Sequence, residues 1–321
     1  MNNPTIKIYD TTLRDGEQTS GVSFSASEKL HIAQLLLTEL KVDRIEVASA
    51  RVSQGEFEAV KKITEWAGQH NLLDKIEVLT FVDGSTSVDW MESAGAKVMN
   101  LLTKGSYNHL KHQLKKTPEQ HFSEVATTIS LAKAKGMTVN VYLEDWSNGM
   151  RNSKEYVYQF IDFLITQPIK RILLPDTLGI LIPSEVTDYI SDLVNRYPET
   201  HFDFHAHNDY DLGTANALEA VRNGIQGLHL TVNGMGERAG NAPLASVIAV
   251  LNDYQKDVKT SVCEKSLYSV SKLVETFSGF RIPANKPVVG ENVFTQTAGI
   301  HADGDKKNNL YHNDLMPERF G

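Results

Sequence analysis

Eight short runs rich in Ile and Val alternate with longer amphipathic stretches along the chain, the pattern of repeated βα units around a parallel sheet. The runs recur every roughly 25 to 40 residues over about 255 residues, close to the ~250 typical of a (β/α)8 TIM barrel. The predicted fold class is therefore α/β. The barrel is expected over residues 1–257, and residues 258–321, which do not repeat the pattern, as a short C-terminal helical and extended appendage.

The strands are placed at Ile6–Tyr9, Arg44–Ala48, Ile76–Phe81, Val98–Leu102, Thr138–Leu143, Arg171–Leu174, His201–His205 and Leu228–Val232. Ser25-x-x-Glu28 reads as a capping box opening the first helix, with Leu30, Ala33, Leu37 and Leu40 on its apolar face. Thr117-Pro118 and Ile182-Pro183 open two further helices, with Pro near the first helical position. Gly95, Gly136 and Gly224 each follow a helical stretch, where a left-handed residue ends a helix most easily. In the appendage one amphipathic helix is expected around Ser266–Thr276, followed by an extended segment to Gly321. The abrupt end at Glu318-Arg319-Phe320-Gly321 suggests a longer natural chain, truncated before a linker and a further domain.

With 32 basic and 40 acidic residues the net charge is −8, so no basic field exists to hold nucleic acid or an anionic membrane surface. The single cysteine, Cys263, excludes an intramolecular disulfide, and the start Met1-Asn2-Asn3-Pro4 lacks the features of a signal peptide. No apolar run approaches the roughly 20 residues that span a bilayer. A cytoplasmic protein is expected.

In such a barrel the active site lies at the carboxyl ends of the strands, so the polar residues there are read together. After strand one comes Asp10-Thr11-Thr12-Leu13-Arg14-Asp15-Gly16-Glu17-Gln18, after strand five Glu144-Asp145, after strand six Pro175-Asp176-Thr177, and after strand seven His205-Ala206-His207-Asn208-Asp209. His205 and His207 are two apart in a strand, so both imidazoles point to one face. With the carboxylate of Asp15 they form a metal-ligand set that suits Zn²⁺, Mn²⁺ or Fe²⁺ ahead of Mg²⁺. Arg14 can stabilise a developing oxyanion, or serve only as an ion-pair partner of Asp15 or Glu46. Glu144 is a candidate base or substrate bridge, or else a structural partner of Arg14. The glycine-rich segment Asn233-Gly234-Met235-Gly236-Glu237-Arg238-Ala239-Gly240-Asn241 lacks the Lys-Ser/Thr of a phosphate loop. Its glycines instead bring the backbone near the metal, with Asn241 or Asn233 as a further oxygen ligand.

These motifs, together with Gly299-Ile300-His301-Ala302-Asp303-Gly304, resemble the acetyl-CoA-dependent 2-isopropylmalate, homocitrate and citramalate synthases, in the metal-dependent barrel superfamily that also holds hydroxymethylglutaryl-CoA lyase. The resemblance covers the whole chain. It implies a Claisen-type condensation in leucine or isoleucine biosynthesis: a base removes a methyl proton of acetyl-CoA, the enolate attacks the keto carbon of a 2-oxo acid held by a divalent metal, and water hydrolyses the thioester. By resemblance Asp15, His205, His207 and Asn241 bind the metal, Arg14 faces the alkoxide, Thr177 holds the substrate carboxylate and Glu144 lies near the reacting carbon. His301 resembles the family's acid/base histidine and Tyr311 its partner. A homodimer is implied, because in this family the tail of one subunit reaches the partner's barrel. Leu79, Leu102 and Tyr142 would line a compact apolar pocket. The strand-four run Leu101 to Gly105, with Asp145-Trp146-Ser147-Asn148-Gly149, most resembles citramalate synthases of the spirochaete type, which use pyruvate rather than 2-oxoisovalerate.

Two rival readings remain, a retro-aldol lyase of the hydroxymethylglutaryl-CoA type and a non-catalytic metal-binding barrel. The lyases carry a cysteine in the glycine-rich loop, which Asn233 to Asn241 lacks. A biotin-dependent carboxyltransferase would need a lysine at the end of strand six, where this chain has Leu174-Pro175-Asp176.

Overall fold

In a computed structural model, which describes residues 4–308, 310–311 and 314–321, eight parallel strands close into a barrel in sequence order. They are β1 (Lys7–Asp10), β2 (Arg44–Ser49), β3 (Ile76–Phe81), β4 (Val98–Lys104), β5 (Thr138–Glu144), β6 (Ile172–Asp176), β7 (Phe202–Ala206) and β8 (Gly227–Leu230). β1 pairs with β8, Lys7 to Asp10 lying opposite Gly227 to Leu230, which removes both sheet edges. Helices α1 (Ala26–Thr38), α2 (Gln54–Gln69), α3 (Thr86–Ser93), α4 (Pro118–Ala134), α5 (Trp146–Asn152), α6 (Lys154–Leu164), α7 (Pro183–Arg196), α8 (Gly213–Arg222) and α9 (Leu244–Tyr254) surround it.

The helix starts follow the local signals. Ser25 and Glu28 form a reciprocal capping box, and Thr117 and Gln120 another with Pro118 in the first turn. Gly95, Gly136 and Gly224 have φ of 76°, 71° and 98°, each closing a helix before the next strand. The face of α1 differs from the expected one. Lys29 is buried beside Ile32, Ala33, Leu36 and Leu37, while Leu30 is only half-buried. The Lys29 ammonium is matched by Glu17 and Glu56, both at 2.5 Å, so its charge enters the interior with its partners. β8 ends before Val232, because Val232–Gly234 turns in a 3-10 helix with Asn233 at φ 60°.

Apolar residues on the outward side of the strands and the inner faces of the helices form one continuous core. Inside the barrel the side chains come in layers at period two. The lower layer is polar: Arg171, just before β6, donates from Nη1 to Asp203 at 2.7 Å, pairs with Glu77, and donates from Nε to Asn140 at 3.2 Å. Asn140 donates to Asn100 at 2.8 Å, and Asn100 donates to both Glu46 and Glu77, at 2.7 and 2.9 Å. The next layer up holds Leu79, Leu102, Tyr142 and Leu173, two residues beyond Glu77, Asn100, Asn140 and Arg171 respectively.

Beyond the barrel, α10 (Leu267–Ser278) buries Leu267, Val270 and Val274 in the same core as the barrel helices. The rest of the appendage is not simply extended as expected: it contains α11 (Gly299–Lys306) and α12 (Pro317–Phe320), the second anchored by buried Phe320. Pro317 in the first turn of α12 supplies the start signal.

Candidate active site

The loop after β1 is built by its own hydroxyls. Asp10 accepts from the Thr12 backbone N–H and from Thr12 Oγ1, both at 2.9 Å, and Thr12 Oγ1 accepts from the Val232 N–H at 2.8 Å. The Asp15 and Gly16 N–H groups donate back to the Thr11 carbonyl at 2.8 and 3.1 Å. The result is a tight turn that delivers Arg14 and Asp15 into the barrel mouth. Arg14 donates from Nε to Glu46 at 2.6 Å and from Nη1 to Asp15 at 3.0 Å. Its Nη2 makes no hydrogen bond among the described residues.

The end of β7 and the residue just beyond it present His205 and His207 to the same mouth. Their Nε2 atoms lie 3.5 Å apart, and one Asp15 oxygen sits 3.3 Å from the first and 3.9 Å from the second. The glycine-rich loop closes the group. Asn241 donates from Nδ2 to the Met235 carbonyl at 2.9 Å, which fixes its amide. At Gly236 (φ 153°) a Cβ would collide with Asn241 Nδ2 and crowd Asp15, so only glycine lets this backbone pass. Arg238 pins the loop across the mouth, donating to Asp209 at 2.8 Å and to the Thr177 carbonyl at 2.7 Å. Asn233, the other asparagine expected as an oxygen ligand, turns away: its amide donates to the Ser271 carbonyl on α10 at 3.0 Å.

The electrostatics suit a cation. Burial alone would raise the Asp15 carboxyl, but the Arg14 guanidinium and the two imidazoles outweigh it and hold it well below the usual carboxylate range. Burial pushes His205 down, and His207 down to about 4, against the pull of Asp15, so both rings are neutral near pH 7. One ligand atom from each of Asp15, His205 and His207 lies within 4.8 Å of the others. Asp15 Oδ1 and Asn241 Oδ1 are buried with no hydrogen-bond partner among the described residues. Unpartnered buried acceptors are costly, and neutral imidazoles facing a carboxylate are the donor set of a divalent transition metal. These residues fit such an ion.

Above the group lies a cavity of about 280 Å³ lined by Arg14, Asp15, Leu79, Leu102, Tyr142, Glu144, Thr177, His205 and His207, among others. Glu144 is not bonded to Arg14, the structural alternative considered for it, but is paired with Lys104. Thr177 Oγ1 accepts from the Asp145 N–H at 2.9 Å, leaving its proton free for a ligand. Tyr142 OH is 2.9 Å from His229 Nδ1. His301, half-buried on α11, stacks with Tyr311 at a ring separation of 4.2 Å; neither lines the mouth cavity of its own chain. Sequence reasoning missed Lys104, which pairs with Glu144, and Phe81, Val52 and Glu237 at the cavity wall. Period two along β4 carries Leu102 to Lys104 and would have found the first.

A buried carboxylate and two imidazoles beside an arginine, at the carboxyl ends of a (β/α)8 barrel, define a metal-assisted enzyme acting on an oxygen-bearing substrate. Residues 5–274 match the HMGL-like family, and the chain belongs to it. It is 36% identical over 325 residues to the 2-isopropylmalate synthase of Sulfurisphaera tokodaii, covering all of this chain and 81% of that protein. It is 37% identical over 317 residues to a Methanopyrus kandleri protein named as a candidate (R)-citramalate synthase, covering 98% of this chain and 60% of that one. Among solved structures, the HMG-CoA lyase of Bacillus subtilis superposes with a TM-score of 0.69 at 21% identity, over 88% of this chain and 97% of that one; this likeness is one of fold. Among the described residues no helix is long and apolar enough to cross a membrane.

Proposed function

We propose that the protein is an acyltransferase that condenses acetyl-CoA with a short 2-oxo acid and releases CoA, in branched-chain amino acid biosynthesis. The observation that carries this reading is Arg14 bonded to Asp15, which itself faces two imidazoles, in a chain 36% identical to a 2-isopropylmalate synthase. A divalent metal, with Zn²⁺ or Mn²⁺ preferred to Mg²⁺, would be held by Asp15, His205, His207 and Asn241, and would polarise the keto group of the acid. Arg14, which lines the cavity, meets the oxygen that gains charge as the new carbon–carbon bond forms. Thr177 donates to the acid's carboxylate. Glu144, which lines the cavity and is held by Lys104, is assigned to the reacting methyl carbon of the acetyl group. The apolar wall of Leu79, Leu102 and Tyr142 takes the acid's alkyl end, and its compactness favours pyruvate over 2-oxoisovalerate. His301 with Tyr311 serves as the acid/base pair in the mouth of a second copy of the chain, so the working unit is a homodimer. A lyase reading finds no support in the thiol: Cys263 donates its N–H to the Leu40 carbonyl, just ahead of β2, at the amino-end face of the barrel.

The test is release of free CoA thiol from acetyl-CoA with pyruvate, 2-oxoisovalerate, 2-oxoglutarate or glyoxylate. Release is expected fastest with pyruvate, abolished by a chelator and restored by Mn²⁺ or Zn²⁺. 2-Oxoisovalerate carries two more methyl groups than pyruvate, and a single one is worth ~1–3 kcal/mol, so 2-oxoisovalerate should trail pyruvate by at least about 10- to 200-fold. No thiol release with any of the four acids overturns the reading.

A further inference from the structure

Thr177 lines the mouth cavity, and a neighbouring backbone group orients its hydroxyl. Its Oγ1 accepts from the Asp145 N–H at 2.9 Å and its carbonyl accepts from Arg238 at 2.7 Å, so the loops after β5 and β8 hold it from two sides. The Asp145 N–H reaches Thr177 from an uncommon backbone. Asp145, between β5 and α5, has φ 65° and ψ 27°, the left-handed region that a residue with a Cβ enters only at a cost. The surrounding structure must hold it there.

The carboxylate of Asp145 supplies the hold. It is buried, and it does not cap the backbone of the helix it precedes, the usual employment of an aspartate at that position. It accepts instead from side chains: Ser106 Oγ at 2.6 Å and Asn148 Nδ2 at 2.8 Å, with His109 Nε2 at 3.4 Å. Ser106 and His109 belong to the turn after β4, where the His109 N–H donates to Ser106 Oγ at 3.2 Å. That turn is locked onto the end of β5. The Gly105 N–H donates to the Glu144 carbonyl at 2.6 Å, a Cβ on Gly105 would collide with the Leu143 carbonyl, and one on Gly149 would collide with the Gly105 carbonyl. The Asp145 carboxylate therefore carries the position of the turn after β4 to the residue that follows β6.

We infer that Asp145 is a positioning residue for the 2-oxo acid: by holding its own N–H on Thr177 Oγ1 it leaves the Thr177 proton for the acid's carboxylate. This rests on the reading of Thr177 as the residue that binds that carboxylate. Asp145 itself does not line the mouth cavity, so it acts through Thr177 alone. A hydroxyl has one proton and two lone pairs. With an N–H already on the oxygen, the proton is directed away from Asp145. Without that N–H the hydroxyl rotor is unrestrained, and ordering it when the acid binds costs part of the affinity.

The experiment is a double-mutant cycle on Asp145→Ala and Thr177→Val. It is read by calorimetry of pyruvate binding to the Mn²⁺-loaded protein, and by the KM values for pyruvate and for acetyl-CoA. Thr177→Val should weaken pyruvate binding by about 10- to 100-fold, the worth of one hydrogen bond to a charged group. Asp145→Ala should weaken it by about 10-fold, and the double variant should be no weaker than Thr177→Val alone, because both changes remove the same contact. Asp145→Asn, which tolerates the left-handed backbone and keeps an acceptor for Ser106, should restore most of the loss. The KM for acetyl-CoA should stay within about twofold throughout. Ser106→Ala, which strips one donor from the carboxylate, runs the same cycle at smaller amplitude should Asp145→Ala fail to fold. Additive losses in the double variant, or pyruvate binding unchanged when the carboxylate or its donor is removed, overturn the inference. If the wild type binds pyruvate but releases no CoA thiol, the proposed function fails, and the binding cycle still decides the role of Asp145. A wild type that binds none of pyruvate, 2-oxoisovalerate, 2-oxoglutarate and glyoxylate overturns both.

Discussion

Arg14 is clamped at two of its nitrogens, by Glu46 at 2.6 Å and Asp15 at 3.0 Å. Burial opposes its charge, but the two carboxylates more than compensate, and the guanidinium is held cationic. A lysine could keep the charge but not the planar fork that bonds both carboxylates with a nitrogen to spare. Arg14→Lys should therefore lower kcat by about 10²–10³ while leaving bound metal unchanged, as expected for loss of an oxyanion donor. Metal analysis alongside steady-state kinetics checks this, and unchanged turnover would make Arg14 a structural ion-pair residue. The meeting of Asp15, His205 and His207 was legible in the sequence because it follows from two rules, the period-two face of a strand and the site at the strands' carboxyl ends. The Lys104–Glu144 pair and the Tyr142–His229 contact were not, because they depend on the register between β4 and β5 and on the reach across the barrel from β5 to β8, which one chain read along its length does not supply.

At the level of the elements, eight strands were readable from Ile- and Val-rich runs, with ends misplaced by a residue or two where polar residues continue a strand, as Lys104 continues β4. The polar interior was not readable as a network, although Glu46, Glu77, Asn100, Asn140 and Asp203 stand out in apolar runs. Arg171 sits between Glu77 and Asp203 with 4% of its side chain exposed, and its charge keeps the Asp203 carboxyl low against the effect of burial. Arg171→Met would strand two buried carboxylates, so unfolding in urea should show a loss of about 3–5 kcal/mol; a smaller loss would mean that water reaches this layer. On α4, His121 is buried, its ring 5.4 Å from Phe160 and its Nε2 accepting from the Lys104 N–H at 3.4 Å. Burial lowers its pKa to about 4. Between that value and the unfolded value near 6.5 the folded state binds fewer protons than the unfolded chain, so stability rises with pH across this window and is lost on acidification. At ~1.4 kcal/mol per unit the effect reaches about 3 kcal/mol. The slope of unfolding free energy between pH 4 and 6.5 should flatten in His121→Leu, and an unchanged slope would assign the acid sensitivity to other groups.

Taken as a whole, the chain does not divide into a barrel and a loose tail. The reading of the sequence would let a deletion from Val258 leave a folded barrel. Yet that cut removes Leu267, Val270 and Val274 from the core, the Ser271 partner of Asn233, and the strap formed where Lys259 pairs with Thr5. Each large buried apolar side chain contributes about 1.5–3 kcal/mol, so this deletion should unfold the barrel at 37 °C, as circular dichroism melting would show. The catalytic role of the tail must then be tested without removing it. His301 and Tyr311 stack on each other away from the mouth cavity of their own chain, the arrangement that a tail reaching a second barrel requires. His301→Ala alone should lower kcat by about 10²–10⁴ as an acid/base group, and Arg14→Lys is nearly inactive for a different reason. In a mixed dimer of the two, one mouth combines an intact Arg14 with the partner's intact His301, while the other mouth lacks both. Random mixing makes half the dimers mixed, with one working site of two in each, so about a quarter of wild-type activity should return on co-refolding equal amounts of the two inactive variants. If His301 acts in its own barrel, or not at all, mixing restores nothing.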